Sequence, residues 1–225
     1  MVAAPDPQIA RAVSLEVDSQ KSPGAADISY LKVRHARAYA GLEECRALRF
    51  LILVGCGAST IPPLEPHRSL IQLAVSDSDL RTVGGIEVAQ ELHTLDLPRN
   101  FIEDLSPLLG CPQLQSLDVR GNPLSDETYR DVLPELQRRG VKMVVPTVQE
   151  RDLMVRMRSI SLPYSYYRME ESYRLSRPGL GLTDMPEADH IKIGPDELSR
   201  LVAADREALA SIFERKDLMP TLRNP

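Results

Sequence analysis

Asp96 and Asp118 stand 22 residues apart in similar surroundings, Leu95-Asp96-Leu97 and Leu117-Asp118-Val119. Two carboxylates brought side by side can share a proton, hold a cation, or divide acid and base roles, so this pair is a first candidate for chemistry. A second is the segment 151–180. It holds six arginines (151, 156, 158, 168, 174, 177) against Asp152, Glu170 and Glu171, a local charge of +3, with four of the seven tyrosines, Tyr164, Tyr166, Tyr167 and Tyr173. Arginine interleaved with aromatic rings stacks and pairs on single-stranded nucleic acid. The same residue types are enriched in protein interfaces. Cys45, Cys56 and Cys111 are widely spaced, and His35, His67, His93 and His190 do not cluster with them. With neither a zinc pattern nor a CxxC pair, the thiols read as small buried hydrophobes, and no metal or cofactor is expected.

The elements that must position these groups follow from composition and periodicity. The chain has 225 residues, 43% apolar and 26% charged, the balance of a globular protein. Aromatic residues make up 4% and Trp is absent, so aliphatic side chains must build the core. A net charge of −5 excludes wholesale electrostatic adhesion to nucleic acid or an anionic membrane, though not a local basic patch. No apolar run approaches the ~20 residues of a membrane span. Met1-Val2-Ala3-Ala4-Pro5-Asp6-Pro7 lacks the basic start and apolar stretch of a signal peptide. A cytoplasmic location is the expectation.

The chain repeats itself. Leu48, Leu70, Leu92 and Leu114 are 22 residues apart, and in phase with them stand Leu51, Leu73, Leu95 and Leu117, then Leu53, Val75, Leu97 and Val119, then Cys56, Ser78, Asn100 and Asn122. The pattern is L-x-x-L-x-L-x-x-N/C. Three further apolar positions per copy (Ile61, Val83 and Leu105, for example) keep the same phase. The L-x-L alternation predicts a short strand with every second side chain inward. The Asn position falls where the chain turns out of the strand, and an amide there can satisfy backbone groups that no ladder reaches. Cys56 and Ser78 would do so less completely than Asn100 and Asn122. A single copy cannot bury its own leucines, so the copies must stack around a parallel sheet. Counting back by 22 from Leu48, Leu51 and Leu53 gives a degenerate first copy at Ala26, Ser29 and Leu31. About five repeats over 26–135 and a closing strand near 141–145 are expected.

Leu92 to Leu109, LHTLDLPRNFIEDLSPLL, resembles the short leucine-rich repeats of internalins and of phosphatase-regulatory repeat proteins. The stretch from Gly121, GNPLSDETYRDVLPELQRRGVKMVV, is similar to the closing repeat of many bacterial members, in which a helix beginning near Ser125-Asp126-Glu127 precedes one last strand. The resemblance covers roughly 26–145. It implies an α/β fold, a right-handed leucine-rich-repeat solenoid with a parallel concave sheet that binds proteins, and leaves the ligand open.

The period also bears on the thiols. Cys45 and Cys111 share a repeat position three repeats apart, so strands ~4.8 Å apart place their α-carbons about 14 Å from each other, beyond reach of a disulfide. At the N-terminus, residues 1–25, the alternation Val13-Leu15-Val17 predicts a strand capping the sheet edge. In the extension 146–225, Thr147 and Glu150 have capping-box spacing ahead of a helix over 151–158, with Leu153, Met154 and Met157 on one face. Residues 159–190 read as loop. A helix opening at Pro195-Asp196-Glu197 carries Leu198, Leu201, Val202, Leu209, Ile212 and Phe213 and runs to about Lys216.

Stacking turns outward strand positions into columns on the concave face: Phe50, Gln72, Thr94, Ser116; then Ile52, Ala74, Asp96, Asp118; then Val54, Ser76, Pro98, Arg120. The bland reading of Asp96 and Asp118 is a solvated acidic patch balanced by Arg99 and Arg120. A catalytic pair needs a cleft and a third group, which a short open sheet does not supply, so no enzyme activity is expected. Phe50, Ile52 and Val54 aim three apolar side chains at water, which marks either a contact surface or a site covered by a flank. The function expected is non-catalytic recognition of another protein, as an adaptor, inhibitor or immunity-type binder, through Phe50, Ile52, Val54, Gln72, Thr94, Asp96, Arg99, Asp118 and Arg120. A second interface is expected at Arg156, Tyr164, Tyr166, Tyr167 and Tyr173. The competing classes are an RNA- or ssDNA-binding protein using 151–180 and a carboxylate-dependent hydrolase. The register is testable directly: Leu95→Asp should unfold the protein by burying an unpaired charge, whereas Asp96→Leu should leave its melting temperature nearly unchanged.

Overall fold

The computed structural model describes residues 4–204 and 206–215. The end expected for the last helix at Lys216 lies outside them. Six strands, β1 (Tyr30–Arg34), β2 (Phe50–Val54), β3 (Gln72–Ser76), β4 (Thr94–Asp96), β5 (Ser116–Asp118) and β6 (Lys142–Val144), form one sheet in sequential order. Every neighbour is parallel, and Leu51, Leu73, Leu95 and Leu117 pair in one register. The repeated leucines are fully or nearly fully buried and form a continuous core. The first copy departs from the expected spacing: Leu31 pairs with Leu51, not Leu53, so its offset is 20 residues. Because strand side chains alternate with a period of two, a two-residue slip keeps each side chain on its face. Ile28, Leu31, Val33 and Ala36 therefore fill the leucine and turn positions.

The Asn position works as its chemistry requires. Asn100 Nδ2 donates to the carbonyls of Val75 (2.7 Å) and Leu97 (3.0 Å), while its Oδ1 accepts from Ser78 N (3.0 Å). Asn122 repeats this with Leu97 O, Val119 O and Ile102 N. Ser78 offers one hydroxyl, accepting from Cys56 N and donating to Ser76 O, and Cys56 Sγ makes only a 3.7 Å contact with Val54 O. The return limb carries short 3₁₀ turns at Leu42–Glu44, Glu65–His67, Ile86–Val88 and Ser106–Gly110. The last return is a real helix over 126–138. After one α-helical step at 126–127, Thr128–Val132 has π geometry, and the stretch that follows is α2 (Leu133–Arg138). Pro134, which has no N–H to donate, stands at the junction.

The N-terminal segment is a helix rather than a strand: α1 runs Pro7–Gln20. The alternation of Val13, Leu15 and Val17 misled, because Ile9, Val13 and Val17 also recur at helical spacing. Ile9 is buried, whereas Leu15 points away at 60% exposure. Pro7 suits the first turn. The Asp6 carboxylate caps the helix through Gln8 N (2.8 Å) and also accepts from Arg37 N and Ala38 N, fixing α1 to the first repeat. At the other end Gln20 Nε2 donates to Tyr30 O on the outer strand (2.9 Å).

Beyond the sheet, Thr147 and Glu150 form the capping box of α3 (Val148–Ser159). Residues expected as loop instead hold a hairpin, β7 (Ser165–Met169) antiparallel to β8 (Ser172–Ser176), with β9 (Ile191–Lys192) alongside. Helices α4 (Pro195–Ala204) and α5 (Arg206–Ser211) complete this part. Leu153, Met154, Met157, Tyr164, Tyr166, Leu175, Leu198, Leu209 and Phe213 give it a core of its own. The hairpin escaped the sequence pattern because Ser165, Tyr166 and Tyr167 are buried in succession. One face of β7 meets its own helices and the other meets the repeats.

That contact is built on a second column. His35, Gly55, Asp77, Arg99 and Gly121 follow their strands in successive repeats, and all have φ between 53° and 71°. The left-handed turn suits glycine and is tolerated by aspartate. At Gly121 the glycine is also required by space, since a Cβ would collide with Ser165, whose hydroxyl donates to Gly121 O at 2.7 Å. Arg99 grips Asp77 with both Nε and Nη2 (2.5 and 2.7 Å) under the Tyr167 ring, 5.1 Å from its centroid. His190 Nε2 lies 3.4 Å from Asp77, and its Nδ1 is 2.5 Å from the Tyr167 hydroxyl. Glu187 meets His35 and Arg34, each at 3.0 Å.

Burial alone would raise the Asp77 carboxyl, but Arg99 and then His190 hold it below the ordinary carboxylate range. Its folded pKa therefore lies under the unfolded value of ~3.9, and the stability this adds is present above that pH and lost as pH falls through the folded value. Arg99→Met should cost about 3–5 kcal/mol at neutral pH by leaving Asp77 buried without its bidentate partner and with only His190 beside it. Burial then dominates, so urea denaturation should show that deficit shrinking as pH is lowered from about 6 to 4. Asn100→Ala should cost on the order of 2–4 kcal/mol, because it strands buried backbone groups of two repeats. The same denaturation series measures it.

Candidate functional site

The three columns expected on the concave face exist, and β1 extends them. Tyr30, Phe50, Gln72, Thr94, Ser116 and Lys142 stand in one row, and Lys32, Ile52, Ala74, Asp96, Asp118 and Val144 in the next. Arg34, Val54 and Ser76 begin the third. Phe50 is 37% exposed, and Ile52 and Val54 are half-buried. Among the described residues, neither α1 nor the C-terminal part closes over that aromatic ring.

Asp96 and Asp118 are direct neighbours across β4 and β5. Each has its own donor: Gln72 Nε2 bonds Asp96 at 3.1 Å, and Arg120 Nε bonds Asp118 at 2.8 and 3.0 Å. Partial burial, aided by the neighbouring Asp118, raises the Asp96 carboxyl above its ordinary range. The pair lies on an open sheet, and among the described residues no group of three His, Cys, Asp or Glu is placed to hold a metal ion. What this surface can do is present an aromatic and two aliphatic side chains beside oriented charges.

Two expectations for site residues are corrected. Arg99 does not balance the acidic patch, because it is taken up by Asp77 at the turn column, and Arg120 alone pairs with Asp118. Most tyrosines of 151–180 do not offer a surface: Tyr164, Tyr166 and Tyr167 are buried, and the half-buried Tyr173 stacks on Tyr166 with centroids 5.5 Å apart. The arginines nearby are similarly engaged, Arg151 with Asp126 and Leu124 O, Arg158 with Glu103, and Arg177 with Asp189. Arg156 on α3 and Arg168 on β7 are exposed. Tyr166 packs in the core of the C-terminal part, and Tyr167 packs against Arg99 of the repeats.

Sequence reasoning missed Tyr30, Lys32 and Arg34, because it laid out the outward columns only from the second copy onward. It also missed the turn column, although Asp77 and Arg99 carry opposite charges one 22-residue period apart. The three thiols are buried and unbridged, and burial pushes each up to about 11. No helix among the described residues is long and apolar enough to cross a membrane.

Residues 90–132 match the family described as Leucine Rich repeats (2 copies). No curated protein matches the chain. Among solved structures the chain is similar to an internalin from Listeria monocytogenes, with 14% identity and a TM-score of 0.33. That match covers 64% of this chain and 65% of the internalin, under two thirds of its length. Internalin C2 of the same organism is 16% identical with a TM-score of 0.35, over 63% of this chain and 93% of that one. Strands and buried leucines recur in one register through and beyond the matched segment, so the chain has a leucine-rich-repeat fold.

Proposed function

We propose that the protein is a non-catalytic recognition module, an adaptor or inhibitor, that binds another protein on its concave face. The observation that carries this reading is Phe50, an aromatic ring left 37% exposed on the open sheet beside Ile52 and Val54. Large exposed aromatics framed by polar residues are the usual anchors of protein contacts. Asp96, Asp118 and Arg120, two and three strands away, would set the orientation of a partner more than its affinity. The buried, unbridged thiols fit a reducing compartment. Against the nucleic-acid alternative stand the burial of Tyr164, Tyr166 and Tyr167 and the pairing of Arg151, Arg158 and Arg177 with carboxylates.

The test uses the full chain as bait in its native cell extract, with captured proteins identified by mass spectrometry and their affinities then measured. Phe50→Ala should weaken the specific partner by about 2 kcal/mol or more while shifting the melting temperature little, since an outward residue leaves no cavity in the leucine core. Lower stability with unchanged affinity would overturn this reading.

A further inference from the structure

The N-terminal end of the concave face differs in charge from the rest. There α1 and β1 frame a cleft of about 280 Å³, lined by Arg11, Leu15 and Glu16 from the helix and by Lys32 and Arg34 from the strand. Among the described residues Arg11 and Lys32 have no ion-pair partner, and Arg34 remains 53% exposed although it bonds Glu187. Lys32 stands beside Ile52, and Tyr30 beside Phe50. Lys32 and Arg34 thus lie one strand spacing, ~4.8 Å, from Ile52 and Val54. Leu15 adds a further exposed apolar group on the helical wall. Across the sheet the sign reverses at Asp96 and Asp118.

Resting on the concave-face reading above, we propose that this cleft docks an acidic peptide segment of the partner. Its carboxylates meet Arg11, Lys32 and Arg34, and one apolar side chain lies against Phe50 and Ile52. Charge complementarity selects this occupant. A nucleic-acid strand long enough to cross the face would carry its phosphates over Asp96 and Asp118, whereas a short peptide needs only the cationic end. The apolar groups one strand away call for a side chain that a polyanion lacks.

The probes are a fluorescein-labelled octapeptide of Glu and Asp with one central Leu, its Lys-substituted counterpart, and labelled oligo-uridine of equal length, titrated by fluorescence anisotropy into the full chain. The acidic peptide should bind at least about tenfold more tightly than the other two, and weaken as salt is raised. The double variant Arg11→Glu, Lys32→Glu should weaken it about tenfold or more, and Phe50→Ala should weaken it as well. Both reversed residues are exposed, and circular dichroism confirms that the variant is folded; Lys32→Gln serves if it is not. Equal binding of acidic and basic peptides, preference for oligo-uridine, no binding of the acidic peptide, or indifference to charge reversal would overturn the proposal. A native partner that loses affinity with Phe50→Ala but not with the double reversal would sink this inference alone. Indifference to Phe50→Ala would sink the concave-face reading beneath it.

Discussion

In a solenoid one strand wide, the chain must leave the sheet while it still lies beneath the neighbouring turn. The backbone groups at that exit are shut off from water and out of reach of the ladder, and each left unmet would cost about 1–3 kcal/mol. Asn100 and Asn122 meet this constraint with one amide each, donating to two carbonyls and accepting from a neighbouring N–H. The leucine stack depends on these bonds, because they hold successive turns at the spacing that lets the leucines touch. Towards the N-terminus the side chains weaken in turn, from Ser78 to Cys56 to Ala36. The carboxylate of Asp6 then takes over part of the task from outside the repeats, accepting from Arg37 N and Ala38 N. Helix α1 is therefore both a cover for the open edge and a supplier of polar groups.

The same exit turn accounts for the placement of the C-terminal part. A left-handed residue at every turn projects one side chain per repeat on the flank of the sheet, and the column His35, Asp77, Arg99 offers alternating chemistry there. Tyr167, Glu187 and His190 answer it with a ring, a carboxylate and an imidazole. An arginine in left-handed geometry is costly on its own. The bidentate bond to Asp77 offsets that cost and also neutralises a carboxylate that is 2% exposed. The described residues of the extension dock on this flank rather than across the strands.

That face is polarised along the stacking direction. Arg11, Lys32 and Arg34 come from α1 and β1, apolar groups from β2, and carboxylates from β4 and β5, where Arg120 pairs with Asp118 and Lys142 follows on β6. Repeats share inward residues because the core demands the same shape from each of them. Their outward residues carry no such demand, so a gradient of charge and hydrophobicity can be written across them without disturbing the stack.

Much of the fold was legible in the residues themselves. The leucine period dictates strands, register and a parallel sheet, because one repeat cannot bury its apolar side chains alone. The role of Asn100 and Asn122 followed from the valence of an amide at a turn. The columns containing Phe50, Ile52, Asp96 and Asp118 followed from period-two alternation. Tertiary structure decided what periodicity leaves degenerate. Val13, Leu15 and Val17 fit strand and helix alike until Asp6 and Pro7 started a helix and the first repeat received it. The 20-residue first copy was settled by pairing with β2, since either register kept Leu31 inside. Tyr166, Tyr167 and Arg99 looked like surface chemistry because local sequence cannot show that two separate cores close around them. Their burial, and the opposite charge waiting at Asp77, arise only where distant segments meet.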